Sequence, residues 1–213
     1  MNMAKDCYFG AYVRFDTASK ENSGVLLGAD TLVGDPLTLD FRVADDVSQV
    51  WLANRFGGEV GFLDPAASRR LSIFSARQWI IGVYLSFVAY SDSPEGGSYW
   101  GEVAVVCYDP KYSDVFDSFV QKVVERLKDG TRSDIALSDQ EVSNLIKSNG
   151  EWFPKKTISL PKNGAVIMKS RLSLSEKIIE QGRARNVGCY VANFLFFAAV
   201  IALVAFIIYK VFF

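Results

Sequence analysis

WIIGVYLSFVAYS (79–91) and YWGEVAVVCYD (99–109) are long apolar, β-branched and aromatic runs, and they are separated only by the turn-rich Asp92-Ser93-Pro94-Glu95-Gly96-Gly97. Two such runs across a Gly/Pro turn read as a pair of antiparallel strands. Upstream, CYFGAYVRF (7–15) alternates and is rich in aromatics, and LTLDFRV (37–43) alternates strictly. QVWLAN (49–54) and EVGFL (59–63) flank Arg55-Phe56-Gly57-Gly58, a hairpin signal. Six strands at short spacing favour a small β-barrel over an open α/β sheet. The strand reading places Val60, Phe62, Ile81, Tyr84, Val103 and Val105 in its core. One short helix interrupts the strands: Asp64 caps it, Pro65 suits its first turn, and AASRRLSIFSA follows.

After Asp109-Pro110 the period changes to that of a helix. Val115, Phe116, Phe119, Val120, Val123, Val124 and Leu127 form one apolar stripe that ends at Asp129-Gly130. Ser138 and Glu141 form a capping box for a second helix ending at Asn149-Gly150. TISLP (157–161) and AVIMK (165–169) read as two further strands. The expected fold class is α+β: a small β-barrel over 1–109, a helical extension with two short strands over 110–170, a basic juxtamembrane segment over 171–186 and a transmembrane helix over 187–209.

That last assignment rests on Val187–Tyr209, which contains no charged residue. Twenty-three helical residues span roughly 34 Å, enough for a hydrocarbon core of about 30 Å. Tyr190 and Tyr209 stand near its ends, where amphipathic rings prefer the headgroups. Arg171, Lys177, Arg183 and Arg185 precede the span and only Lys210 follows it, which orients residues 1–186 toward the cytoplasm. Lys5 and Asp6 interrupt what would be the apolar region of a secretory signal. The expected protein is a single-pass, tail-anchored membrane protein. Within the span, Asn193 and the Gly188/Ala192 and Ala198/Ala202 spacings are features that favour homo-oligomers.

Charge divides along the chain. Residues 155–185 hold eight basic and two acidic side chains, whereas residues 1–154 hold fourteen basic and twenty-two acidic ones. The basic end suits an anionic leaflet, and Arg171, Lys177, Arg183 and Arg185 are its membrane-surface candidates. The acidic body is poorly equipped for the phosphate neutralisation that nonspecific nucleic-acid binding needs.

The chain has no histidine, which removes Ser-His-Asp and Cys-His catalysis and histidine metal sites together. Asp30, Asp35, Asp40, Asp45 and Asp46 are the densest carboxylates but lack the spacing of a cation loop. Neither a GxxxxGK[ST] nor a GxGxxG motif occurs. No catalytic residue, metal or cofactor is expected. Trp152-Phe153 beside Lys155-Lys156 either stacks on a ligand or closes the core at a domain edge. Three cysteines, an odd number without framework spacing, suit a reducing compartment.

Residues Leu39 to Asp109 resemble a HIRAN domain, a small β-barrel found alone in bacteria and fused to helicases in eukaryotes. Asp45-Asp46-Val47-Ser48-Gln49 stands at the family's turn, Val50-Trp51-Leu52 at its next strand, and Val60-Gly61-Phe62-Leu63-Asp64-Pro65 at the end of its hairpin. Ala66, Ala67 and Leu71 match the helix that follows, and Gly101-Glu102-Val103-Ala104-Val105 matches the closing strand. Family members hold a 3′ single-stranded DNA end on aromatic and polar residues, so the resemblance makes Asp45, Trp51 and Phe62 the candidate ligand-binding residues. The family's Asn-x-x-Asp turn is absent, and Asp45-Asp46 in its place repels phosphate. The functional expectation is a cytosolic binding domain that meets a protein partner and the lipid bilayer; a membrane-tethered module for single-stranded DNA ends is the alternative.

Overall fold

The computed structural model describes residues 6–44, 47–91, 97–160 and 165–167. The chain divides into two units, Met1–Arg171 and Leu172–Phe213, and every described residue belongs to the first. The span expected over 187–209 lies outside the described residues, and among these no helix is long and apolar enough to cross a membrane.

The fold is α+β. Its strands are β1 (Tyr8–Asp16), β2 (Thr38–Ala44), β3 (Val47–Ala53), β4 (Glu59–Leu63), β5 (Ile80–Ser91), β6 (Ser98–Tyr108) and β7 (Ala165–Ile167). They form one sheet in the order β2-β3-β4-β1-β6-β5-β7, all neighbours antiparallel. The segment entering β2 also reaches β5: Leu37 N–H donates to Val83 O at 2.8 Å, Leu85 N–H donates to Asp35 O at 3.0 Å, and Pro36 bridges Tyr84. Among the described residues four α-helices accompany the sheet: α1 (Lys20–Leu27), α2 (Pro65–Ala76), α3 (Ser113–Lys128) and α4 (Asp139–Lys147).

Each sheet face has its own core. One face packs Phe15, Val50, Leu52, Val60, Leu63, Val83, Leu85, Val103 and Val105 with Leu26 of α1 and Leu71 of α2. The other packs Tyr8, Ala104, Val106 and Tyr108 against the expected stripe of α3 and against Val142 and Leu145 of α4. The local signals act as chemistry requires. Asp64 accepts from the N–H groups of Ala66 and Ala67, and the Ser138/Glu141 capping box is present.

Three sequence expectations need correction, and one helix was not foreseen. Val60, Val103 and Val105 are fully buried on the first face, and Ile81 packs against them, but Phe62 and Tyr84 point elsewhere. Tyr84 packs against the α3 side, since Val83 and Leu85 take the inward positions of β5. Phe62 is turned by a bulge: Leu52 pairs with Gly61 while Ala53 pairs with Glu59, so Val60 is an extra residue and the alternation changes sides after it. Among the described residues of TISLP there is no strand but a single bridge of Thr157 to Ser133, with Ile158 N–H donating to Arg132 O, and α1 was not anticipated.

Candidate functional site

The outer face of β2, β3 and β4 carries Trp51 and Phe62, two of the three ligand-binding candidates. Trp51 alternates with Val50 and Leu52, both fully buried, so its indole must lie on the opposite side of β3. Phe62 is its direct cross-strand partner, with ring centroids 5.4 Å apart and planes inclined by 44°. That pairing depends on Gly61, whose φ of 156° is in glycine's territory. A Cβ there would lie 2.4 Å from Asp16 O and 2.8 Å from the Phe15 ring, so the glycine lets β4 press against β1. The Val60-Gly61-Phe62 motif therefore builds the bulge that turns the Phe62 ring, half-buried, to the face of Trp51.

Polar groups surround the pair. The Arg42 guanidinium lies over the Trp51 ring, 4.6 Å from its centroid. Its Nε donates to Asp40 Oδ2 at 2.7 Å, and a second nitrogen donates to Glu59. The Trp51 indole N–H donates to Gln49 Oε1 at 3.2 Å. Hydrogen bonds to Glu59 and then to Asp40 push the Arg42 pKa further upward, so its charge is permanent. Phe62 also stands opposite Asp16 in the ladder with β1, and Asp16 is ion-paired to Arg14 at 2.7 Å. Arg14 in turn lies 4.3 Å over the Trp100 ring. The result is a stripe across β2, β3, β4, β1 and β6 in which aromatic rings alternate with guanidinium–carboxylate pairs.

Asp45, the third candidate, lies outside the described residues, as do the membrane-surface candidates Arg171, Lys177, Arg183 and Arg185. Arg42, Asp40 and Glu59 were not singled out by sequence reasoning as site residues. The signal was available in LTLDFRV: Leu39 packs toward the first core, which places Asp40 and Arg42 on the face of Trp51 once β2 and β3 are paired.

The remaining candidates resolve into structural roles. Trp152 and Phe153 pack against the α3 core, with the Phe153 and Phe119 rings 5.5 Å apart, so the closing reading holds. Asp35 accepts from Leu32 N–H at 3.0 Å, and burial raises its carboxyl. Among the described residues no group of three His, Cys, Asp or Glu side chains is placed to hold a metal ion. Burial pushes the Cys7 thiol up to about 11, with Asp109 adding to the shift, and the Cys107 thiol up to about 12. Both are protonated at neutral pH, the wrong state for a nucleophile.

Compared with known proteins, the chain matches no family model, no curated protein and no solved structure.

Proposed function

We propose that this protein is a membrane-anchored binding module that holds a protein partner on the Trp51–Phe62 face. The observation that carries the proposal is the fence around that aromatic pair: two guanidiniums, Arg14 and Arg42, against three carboxylates, Asp16, Asp40 and Glu59. Each cation is already committed to a carboxylate, so the face offers ring surface and residual negative charge. Such a surface suits a segment with Lys or Arg beside apolar residues, through cation–π contact and carboxylate pairing. The uncharged 187–209 stretch and the basic residues before it would hold the module against the cytoplasmic leaflet. Binding rather than catalysis fits a chain without histidine whose described thiols are buried.

A HIRAN-like barrel is the finer reading of the sheet, supported by the Leu37–Val83 and Leu85–Asp35 hydrogen bonds that tie the β2 end of the order to β5. The half-buried aromatic pair also fits the alternative, base stacking by a module for single-stranded DNA ends. The carboxylate fence opposes it, because phosphate oxygens would meet Asp16, Asp40 and Glu59. Fluorescence anisotropy on residues 1–171 separates the two. The proposal predicts binding to Lys/Arg-containing apolar peptides that is lost in Trp51→Ala and Phe62→Ala, and little binding to labelled single strands at physiological salt. Tight binding dependent on a 3′ end, lost in the same variants, would overturn it in favour of the DNA reading.

A further inference from the structure

The first strand of the sheet order carries a sequence that is its own complement. β2 pairs with β3 on one edge, and among the described residues its other edge has a partner only at its entry, where Leu37 N–H donates to Val83 O. In an extended strand the N–H and C=O of alternate residues point to the same side. Leu37 therefore assigns Leu39, Phe41 and Val43 to the open edge, and Thr38, Asp40 and Arg42 to β3. Two of these open-edge residues are exposed large apolar side chains, Phe41 at 40 % and Val43 at 75 %. An open edge with apolar side chains is a template for strand addition.

We infer that β2 pairs antiparallel with β2 of a second copy of this chain about a two-fold axis at Phe41. In that register Phe41 faces Phe41, Leu39 faces Val43, and Asp40 faces Arg42 on both sides of the axis. The outward-pointing backbone groups of Leu39, Phe41 and Val43 meet as hydrogen-bonded pairs, as the antiparallel pattern requires. Charge selects the centre. An axis at Asp40 would set two carboxylates against each other, and one at Arg42 two guanidiniums. An axis at Leu39 or Val43 would leave both charges without a cross-strand opposite. Only the Phe41 axis sets opposite charges against each other twice; the Asp40 side chain is 58 % exposed, so while bonded to Arg42 of its own chain it keeps a solvent-facing side for the second copy's Arg42. The interface is isologous, as a two-fold dimer requires.

Charge reversal on the full chain in detergent micelles tests the pairing, with association read by sedimentation velocity. Wild type is expected to dimerise. Asp40→Arg places Arg against Arg twice, and Arg42→Asp places Asp against Asp twice, so each alone should associate at least about tenfold more weakly. Mixed together, the two variants form opposite-charge pairs only with each other, and the mixture should recover dimers of one chain of each kind. Phe41→Pro removes an N–H at the open edge, where proline is tolerated, and should give a monomer whose circular dichroism spectrum matches that of the wild type. A monomeric wild type, an undiminished Asp40→Arg dimer, a mixture that fails to recover, or a dimeric Phe41→Pro each overturns the inference.

Discussion

Arg132 is 5 % exposed, yet its charge is fully occupied. Its Nε donates to Ser86 Oγ at 3.1 Å, one terminal nitrogen donates to Ser159 O at 2.8 Å, and the other donates to Glu102. The guanidinium also lies 4.4 Å from the Tyr12 ring centroid and 5.2 Å from that of Phe87. Ser86 is the extra residue where the β5–β6 register shifts, so Arg132 fastens a bulge, a strand and the 157–160 segment at one point. Glu102 is raised above the ordinary carboxyl value by burial, with Arg132 pulling the other way. An acid whose pKa is raised by folding binds its proton more readily in the native state, so its contribution to stability falls as pH rises between the unfolded and folded values. Arg132→Met removes the opposing pull and should cost about 3–5 kcal/mol at pH 7, by leaving Glu102 buried and unpaired. The same variant should regain part of that loss as the pH is lowered and Glu102 takes up a proton; urea melts at neutral and at acidic pH measure it. Nothing local in Thr131-Arg132-Ser133 announces this role, since it depends on a partner thirty residues away in sequence and on the bulge at Ser86. Trp51 and Phe62 are candidates through the HIRAN resemblance alone, since strand alternation puts Phe62 in the core, and Arg42 requires the register of β2 against β3.

At the scale of elements, strong periodic signals were readable and weak ones were not. The stripe of α3, the Asp64 and Ser138 caps and the six main strands are each set by neighbouring residues. KENSGVLL is different: α1 buries only Asn22 and Leu26, contains Gly24, and is held by the Ser19 cap and the Asn22 side-chain bond to Glu59 O. Tertiary contact makes that helix, and its own pattern does not. TISLP alternates like a strand, but the chain opposite it is the short 132–134 segment, which offers one bridge and two flanking hydrogen bonds. Alternation fails at Phe62 because a bulge consumes one residue. β6 is the element with the most at stake, since it lies between β1 and β5 and its Val105 is fully buried opposite Ala11 and Val83. Val105→Asp would bury a carboxylate without a partner and should cost about 4 kcal/mol or more. Circular dichroism and melting of that variant are expected to show an unfolded domain; unchanged melting would mean that Val105 does not face the core.

In the molecule as a whole, an acidic, aromatic-faced domain is followed by a basic stretch and an uncharged one. The basic 155–185 stretch and the uncharged 187–209 stretch are read from the sequence, because both fall largely outside the described residues. Under the proposed function that attachment is what would bring the Trp51–Phe62 face to a partner at the membrane surface. Alkaline carbonate extraction of membranes containing the full chain, beside a chain ending at Asn186, tests this attachment most directly. The account predicts that the full chain stays in the membrane pellet and that the shortened chain is released to the supernatant. Release of the full chain by carbonate would contradict it.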